Sequence, residues 1–578
     1  MRLESRLFFD SDSICQVPQN AEREHKQVDR VIFPSNYSDA NLPSELLILN
    51  RYCIKFADLK AAQRASQLYG ISHLEALTAA GILSERTWVE AQALLSAERS
   101  RARRNHKIRT WLLDKAVNSL QRTSPQYSAY RTFSGHQLLA FFFPTAAAIY
   151  YMLSDAGGVL KIIVLALTLF YAISIVSRGM LLAKFDESLA VRKSEMNFDD
   201  DSLPIYTILV ALYKEPNQVN DLAQYLWNLD WPKGKLDIKL ICEADDLETI
   251  AAIHDLELPP AFQVILVPPA TPRTKPRALN YALPMAFGKY LVLYDAEDRP
   301  SSKQLREAYE RFATGGTKLA CLQAPLRIHN HDETWISRMF AIEYLTLFNG
   351  ILPVLANWKL PLPLGGTSNH FKVDVLRQVG AWDPYNVTED ADLGIRLYRE
   401  GYATETLTSP TYEEAPTELL PWLRQRTRWI KGWMQTILVH NRNPVLLFGD
   451  MGLRNGIAFH LFFTSVVLSV IIHPIFAGIL IHQLWNLSVV QHDLDLFLLG
   501  TGIFNLVGGY TTYGLLALVV LKATGNNQFS GSVLTLPAYW MLISISGWRA
   551  LLHLVVKPHN WEKTPHGLSK QKFRHSSN

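Results

Sequence analysis

The sequence predicts an α/β domain set between membrane-spanning helices, with a small α-helical domain ahead of it. Three observations carry that prediction. Several apolar stretches exceed the roughly 18 residues needed to span a bilayer, in a chain of 578 residues that is 48% hydrophobic and only 19% charged. Between 200 and about 440, the strand-length runs PIYTILVAL, LDIKLIC, FQVILVP and KYLVLY alternate with helical patterns. Each run ends in polar or acidic residues, as buried parallel strands with functional loops at their carboxyl ends do. Over 46–98 the apolar residues fall at helical spacing, as in SHLEALTAAGILSERTWVEAQALLSA.

The elements follow in chain order. Residues 1–45 are polar and interrupted by Pro18, Pro34 and Pro43, and read as a disordered leader. They carry no apolar signal-peptide core, so insertion relies on internal spans. Residues 46–130 form a small helical regulatory or docking domain and a basic linker, RSRARRNHKIR at 99–109, with Gly81 as a break and Ser84 as the next N-cap. Residues 137–181 hold two transmembrane helices joined by a turn without Lys or Arg. Positive charge flanks the pair, after it at Arg178, Lys184, Arg192 and Lys193, so both flanks face the cytoplasm. The α/β domain occupies 200–443 with interfacial helices. Residues 455–556 return to the membrane at 457–485 and 496–521. A third apolar stretch, 533–548, is cut at Arg549. A full crossing there would put the basic tail, 557–578, outside, so a re-entrant segment and four crossings are expected, with five as the alternative.

The net charge of +4 is too small to point to nucleic acid, and the basic residues lie beside the apolar segments. Cys15, Cys53, Cys242 and Cys321 have neither CxxC nor ligand spacing, which predicts no disulfide framework or zinc site and suits a reducing cytoplasm.

Chemistry concentrates at four places. Residues 386–402, NVTEDADLGIRLYREGY, crowd Glu389, Asp390 and Asp392 at the start of a helix with Thr388 as N-cap, Leu393 and Leu397 on one face, and Gly401 as a left-handed stop. One carboxylate satisfies a helix start; three repel one another unless a cation, a proton or a substrate hydroxyl compensates. After KYLVLY, the loop DAEDRP offers Asp295, Glu297 and Asp298, hard oxygens that can hold Mg2+ or Mn2+ against a diphosphate, or form a solvated acidic loop. The ends of the earlier strands, Tyr213, Lys214 and Glu215, then Glu243, Asp245 and Asp246, offer an aromatic edge and carboxylates to a nucleotide. In TKPRALNYAL, Lys275 and Arg277 can neutralise a phosphate, with Asn280 one turn on. Finally, LRQRTRWIKGW puts Gln425, Arg428 and Trp429 on one helix face, where Arg can bridge a diphosphate and Trp can floor a sugar. The same helix also fits a membrane-surface belt of Trp422, Trp429 and Trp433 with Arg424, Arg426 and Lys431.

DAED, TEDADLG and QRTRW, in this order and flanked by membrane segments, resemble the membrane-embedded family 2 glycosyltransferases, relatives of cellulose, hyaluronan and chitin synthases, over about 137–567. The resemblance implies a GT-A-like (Rossmann-like) cytoplasmic domain inserted between transmembrane helices of a multi-pass bacterial inner-membrane protein. It places Asp295 and Glu297 on the metal, Mg2+ or Mn2+. Asp390 becomes the catalytic base with Glu389 beside it. The resemblance puts Asp295, Gln425, Arg428 and Trp429 at the nucleotide sugar, where Tyr213, Glu215, Glu243 and Lys275 are expected from their own chemistry. The loop GGTSNHF, 365–371, resembles the family's acceptor loop, which puts Gly366, Thr367 and Trp429 at the acceptor.

Glu297 stands where the family has Asp, so Glu297 or Asp298 completes the metal site. No FxVTxK gating motif or PilZ-like domain is present, which disfavours cellulose. The helical domain resembles, over about 30 residues, the N-terminal module of type II secretion ATPases, some of which bind cyclic di-GMP. It lacks the arginine-leucine-glycine start of the nucleotide-binding versions, so docking to an envelope partner is the favoured role. The expected activity is an inverting, processive β-glycosyltransferase that polymerises UDP-glucose or UDP-N-acetylglucosamine on a growing glycan and exports it across the inner membrane. The alternatives are single transfer to a membrane lipid and a degenerate synthase serving as an envelope scaffold.

Overall fold

The computed structural model describes residues 56–83, 106–185, 198–485 and 493–562. The leader 1–45, the N-cap expected at Ser84, most of the basic run and the tail beyond 562 lie outside the described residues. The chain divides into two units, Met1–Trp111 and Leu112–Asn578.

In the first unit, α1 (Phe56–Tyr69) and α2 (His73–Ala79) pack through Leu59, Ala62, Leu74 and Leu77. Ser72 Oγ accepts from Glu75 N at 3.1 Å while Glu75 Oε2 accepts from Ser72 N at 2.7 Å, a reciprocal cap that fixes the start of α2. The helix stops before Gly81, whose φ of +75° is the left-handed value expected of the break.

In the second unit α3 (Gly135–Ala183) is interrupted at Asp155, where φ −146° and ψ 78° leave helical geometry and separate two apolar spans. The α/β domain follows. Its main sheet has the order β3-β2-β1-β4-β8-β6-β9, from Phe262–Val267, Leu236–Glu243, Tyr206–Leu212, Tyr290–Tyr294, Asn369–Lys372, Leu319–Gln323 and Ala403–Thr406. All pairs are parallel except those of β8, which runs antiparallel between β4 and β6. β2 and β4 are buried along their whole length, with apolar cores on both sides of the sheet, and this explains why they read as continuous apolar runs. A small sheet, β5-β10-β7 (Arg299–Pro300, Thr411–Glu413, Leu326–Ile328), sits beside it. Leu212 of β1 pairs with Cys242 of β2, and Val210 with Tyr294 of β4, so these strands deliver their following loops to one edge.

Six helical segments among the described residues are long and apolar enough to cross a membrane by length and composition. One of them, Trp335–Asn357, lies within the α/β domain; it begins with the helix Trp335–Leu345 and packs with Leu516, Ala517, Val520 and Leu521 of the helix Asp493–Ala523. The last, Asn527–Val556, contains the helix Leu536–Val556, which runs unbroken through Arg549, whose guanidinium pairs with Glu562 at 2.8 and 2.9 Å. The charge that interrupts the apolar run is thereby neutralised by the segment that follows the helix.

The helix Leu419–His440 packs along Leu536–Val556, and this corrects the expectation of a membrane-surface belt. Trp422 is 0% exposed, packed on Tyr539 rather than on lipid. Lys431 and Arg426 are also buried: Lys431 donates to the Lys557 and Asn560 carbonyls, and Arg426 pairs with Glu343 at 2.5 Å. A membrane-surface belt is therefore not what this face forms. Thr388 occupies the N-cap of Glu389–Arg399 as expected, although without a side-chain capping bond. Its side chain instead lies where a Cβ on Gly432 would stand 2.2 Å from Thr388 Oγ1, so close approach of the two helices requires glycine there.

Candidate active site

At the carboxyl ends of β1, β2 and β4 opens a cavity of about 610 Å3. Strand ends contribute Tyr213, Glu215, Glu243, Asp295 and Glu297; Lys275 comes from the helix Lys275–Ala282, Gly366 and Thr367 from the loop before β8, Glu389 and Asp390 from the start of Glu389–Arg399, and Gln425, Arg428 and Trp429 from Leu419–His440. All of these line this one cavity, whereas Lys214, Asp245, Asp246, Arg277, Asn280, Asp298 and Asp392 do not.

Lys275 Nζ sits 2.5 Å from Asp295 Oδ1 and donates to the Gly366 carbonyl at 2.6 Å. Burial opposes its charge, yet Asp295, Asp390 and Glu389 outweigh that penalty and hold its pKa above the usual lysine value. Asp298 turns inward: it accepts from Asp295 N at 2.7 Å and from the Thr367 hydroxyl. Burial, with Asp295 and Glu297 nearby, pushes its pKa well up. Of the two residues that could complete a metal site, Glu297 is thus the one on the cavity wall. Thr367 spends its hydroxyl on Asp298 and the Leu293 carbonyl, so it shapes the acceptor loop rather than offering a donor to the cavity. Among the described residues no group of three or more His, Cys, Asp or Glu stands ready to hold a metal. Asp295 and Glu297 supply two hard oxygens, a set that fits a divalent cation when diphosphate oxygens complete its shell.

The three crowded carboxylates divide. Asp392 is buried against Arg396 at 2.8 Å and His440 at 3.1 Å. Burial works against its charge, but Arg396 and His440 prevail and hold its pKa low. Glu389 and Asp390 face the cavity. Asp390 is 5% exposed, and its Oδ1 has no hydrogen-bond partner among the described residues. Burial foremost, then the Glu389 charge, raise its pKa well above the ordinary aspartate range, with Lys275 pulling the other way. A Cβ on Gly366 would lie 3.8 Å from Asp390 Oδ2, so the glycine loop brings backbone close to this carboxylate.

Gln425 Oε1, Arg428 Nε and Glu243 Oε2 are likewise buried without hydrogen-bond partners among the described residues. Burial lowers the pKa of Arg428, against the opposing pull of Glu389, Asp295 and Asp390. Trp429 stacks near Tyr344, centroids 6.1 Å apart at 30°, and the Arg426 guanidinium lies 4.8 Å from its ring.

Two sequence assignments are corrected. Arg277 is wholly buried, bound to Glu243 and donating to the Ala270 carbonyl at 2.6 Å; it positions Glu243 and does not meet a phosphate. Asn280 bonds the backbone of Trp382 through both its amide atoms and pins that loop. Conversely, the cavity includes Arg273, Glu413 and Trp561, which sequence reading passed over. Arg273 donates to the Tyr213 hydroxyl at 3.2 Å and pairs with Asp245 at 2.7 Å; its place in PRTKPR was a usable signal. Glu413, whose pKa burial and then Asp298, Glu297 and Asp295 raise well up, ends β10, and only the strand pairing shows where it points. Trp561 lies against Arg428 at 5.2 Å after the last membrane helix, a placement with no local signature.

Beyond Trp429 the cavity continues among residues of the apolar helices, including Tyr171, Arg178, His473, Thr512, Tyr513 and Trp540.

Residues 290–552 match the family model described as Glycosyl transferase family group 2. A probable glycosyltransferase of Bacillus subtilis, YdaM, is 24% identical over 239 residues, 41% of this chain and 57% of that protein. A β-monoglucosyldiacylglycerol synthase of Nostoc sp. is 29% identical over 244 residues, 41% of this chain and 50% of that protein. The UDP-forming cellulose synthase catalytic subunit of Komagataeibacter sucrofermentans is 25% identical over 263 residues, 44% of this chain and 33% of that protein. The chain spans about half the length of the first two of these relatives and a third of the last. The mixed sheet with its strand-end carboxylates, the family match and the glycosyltransferase relatives lead to one conclusion: the chain is an enzyme whose residues 290–552 are similar to a family 2 glycosyltransferase domain, flanked by apolar helices.

Proposed function

We propose that the chain is an inverting, processive β-glycosyltransferase of the bacterial inner membrane. In this reading the α/β domain faces the cytoplasm, uses UDP-glucose or UDP-N-acetylglucosamine, and feeds a growing exopolysaccharide through its own helices. One observation carries the reading: Asp390 Oδ1, Gln425 Oε1, Arg428 Nε and Glu243 Oε2 are buried without hydrogen-bond partners among the described residues, around a cavity that runs on between the apolar helices. Buried polar atoms are rarely left unpaired, so their convergence fits a polar ligand.

Asp390 takes the proton from an acceptor hydroxyl as its oxygen attacks the anomeric carbon. The bond from that carbon to the diphosphate breaks, and the nucleoside diphosphate leaves with the electron pair. Arg428 and Lys275 meet the charge that develops on the leaving group. Asp295 and Glu297 would hold Mg2+ or Mn2+, which supplies further charge neutralisation when bound. Tyr213 and Glu243 address the nucleoside, and Trp429 floors the acceptor sugar.

A second reading, one transfer to a membrane lipid, is favoured by Leu181, Val466, Val470, Leu516 and Ile543, which make the membrane part of the cavity strongly apolar. Incubating the protein in nanodiscs with each UDP-sugar and sizing the products separates the two. A polymer ladder supports the first reading, a single glycolipid the second, and the absence of any transfer overturns both.

A further inference from the structure

We infer that Arg178 is an oxyanion subsite in the membrane part of the cavity, and that it receives the phosphate of an acidic membrane lipid at the acceptor side. The inference rests on the second reading above, in which a membrane lipid is the acceptor in this part of the cavity. Arg178 lies on the second span of α3, Gly157–Ala183, little more than one turn before the helix ends on the side of the α/β domain. A cation at such a position often snorkels to the membrane surface. This one lines the interior cavity instead.

The other cations lining the cavity are answered by carboxylates. Lys275 is paired with Asp295, Arg273 with Asp245 and Arg426 with Glu343, and Arg428 lies in the field of Glu389, Asp295 and Asp390. Arg178 makes no hydrogen bond or ion pair among the described residues; the ionisable groups that face it are the phenols of Tyr171 and Tyr513. An intramembrane arginine without a counter-charge is costly unless an anion or water meets it, and a guanidinium binds phosphate oxygens in matched pairs.

The surroundings choose among anions. In the proposed reaction a nucleotide diphosphate belongs with Lys275 and Arg428 beside the strand ends, whereas Arg178 lies on an apolar helix. Leu181, Val466, Val467, Leu516 and Ile543 offer apolar surface to a hydrocarbon chain, and the place of Arg178 near the helix end suits head-group depth. An acidic lipid satisfies both features at once, whereas a free oxyanion uses only the charge.

The test uses the full chain in nanodiscs, with dioctanoyl phosphatidic acid, dioctanoylglycerol and inorganic phosphate as probes and the tryptophan fluorescence of the protein as the binding signal, Trp540 being in the cavity wall. Wild type is expected to prefer phosphatidic acid over dioctanoylglycerol by about tenfold or more, the scale of a charge-assisted pair. Arg178→Gln should abolish that preference and Arg178→Lys should keep part of it, while UDP binding at the strand ends stays unchanged in both. Equal affinity for the two lipids in wild type, or an undiminished preference in Arg178→Gln, overturns the inference. Competition by inorganic phosphate at the lipid's own concentration overturns the lipid assignment. Failure here with a normal product ladder leaves the proposed activity standing, and lipid preference without any sugar transfer leaves the subsite standing alone.

Discussion

In the proposed reaction Asp390 would meet the acceptor hydroxyl from a site that makes its carboxylate a stronger base than a surface aspartate, since burial and the neighbouring Glu389 both favour the bound proton. Asp390→Asn should lower transfer by a factor on the order of 10² to 10⁴ while UDP binding stays nearly intact. Near-normal turnover would remove Asp390 from the role. The same environment sets a pH dependence. The base works deprotonated, so kcat should fall as pH drops through a limb lying above the ordinary aspartate value of about 3.9. Glu389→Gln removes a negative charge that raises Asp390, so the limb should move to lower pH; a limb that stays put or moves up would mean the carboxylates act independently. Asp295→Ala releases Lys275 as well as any cation, and should weaken metal-dependent UDP binding; titrations with and without Mn2+ report it.

The helix Leu419–His440 sends different residues to different tasks, and its tryptophans separate them. Trp429 faces the cavity, whereas Trp422 is sealed against Tyr539. Trp429→Ala should lose most product while UDP binding and the melting temperature hold, and Trp429→Phe should recover part of the activity because a ring face remains. Trp422→Ala should cost about 3–5 kcal/mol of stability through the cavity it leaves, seen as a lowered melting temperature of the detergent-solubilised protein. If Trp422→Ala melts like wild type, the packing against Leu536–Val556 is not what holds this helix.

The whole molecule divides at residues 111 and 112, and the cavity with all its predicted site residues belongs to the second unit. Deletion of residues 1–98 should therefore leave a folded, membrane-inserted enzyme, with regulation or partner docking altered. Insertion and UDP binding measured together check this. A truncated chain that inserts and binds UDP yet stays inert under every activating condition would make the helical unit part of the catalytic machinery.

Sequence by itself determined the α/β domain between apolar helices, because buried parallel strands must be continuously apolar and membrane helices long and uncharged; the same patterns marked the strand-end carboxylates, the acidic helix start at Glu389 and the Gln425, Arg428 and Trp429 face. Gly401, at φ +84°, ends its helix as local stereochemistry requires. What only the tertiary structure decided were choices between chemically equal residues. Nothing local tells Glu297 from Asp298 or Lys275 from Arg277, or shows that Trp422 is sealed inside the protein; burial and partners do, by sending Asp298 to Thr367, Arg277 to Glu243 and Trp422 to Tyr539. Glu413 and Trp561 reach the cavity through strand pairing and chain return, long-range events that leave no periodicity in the residues around them.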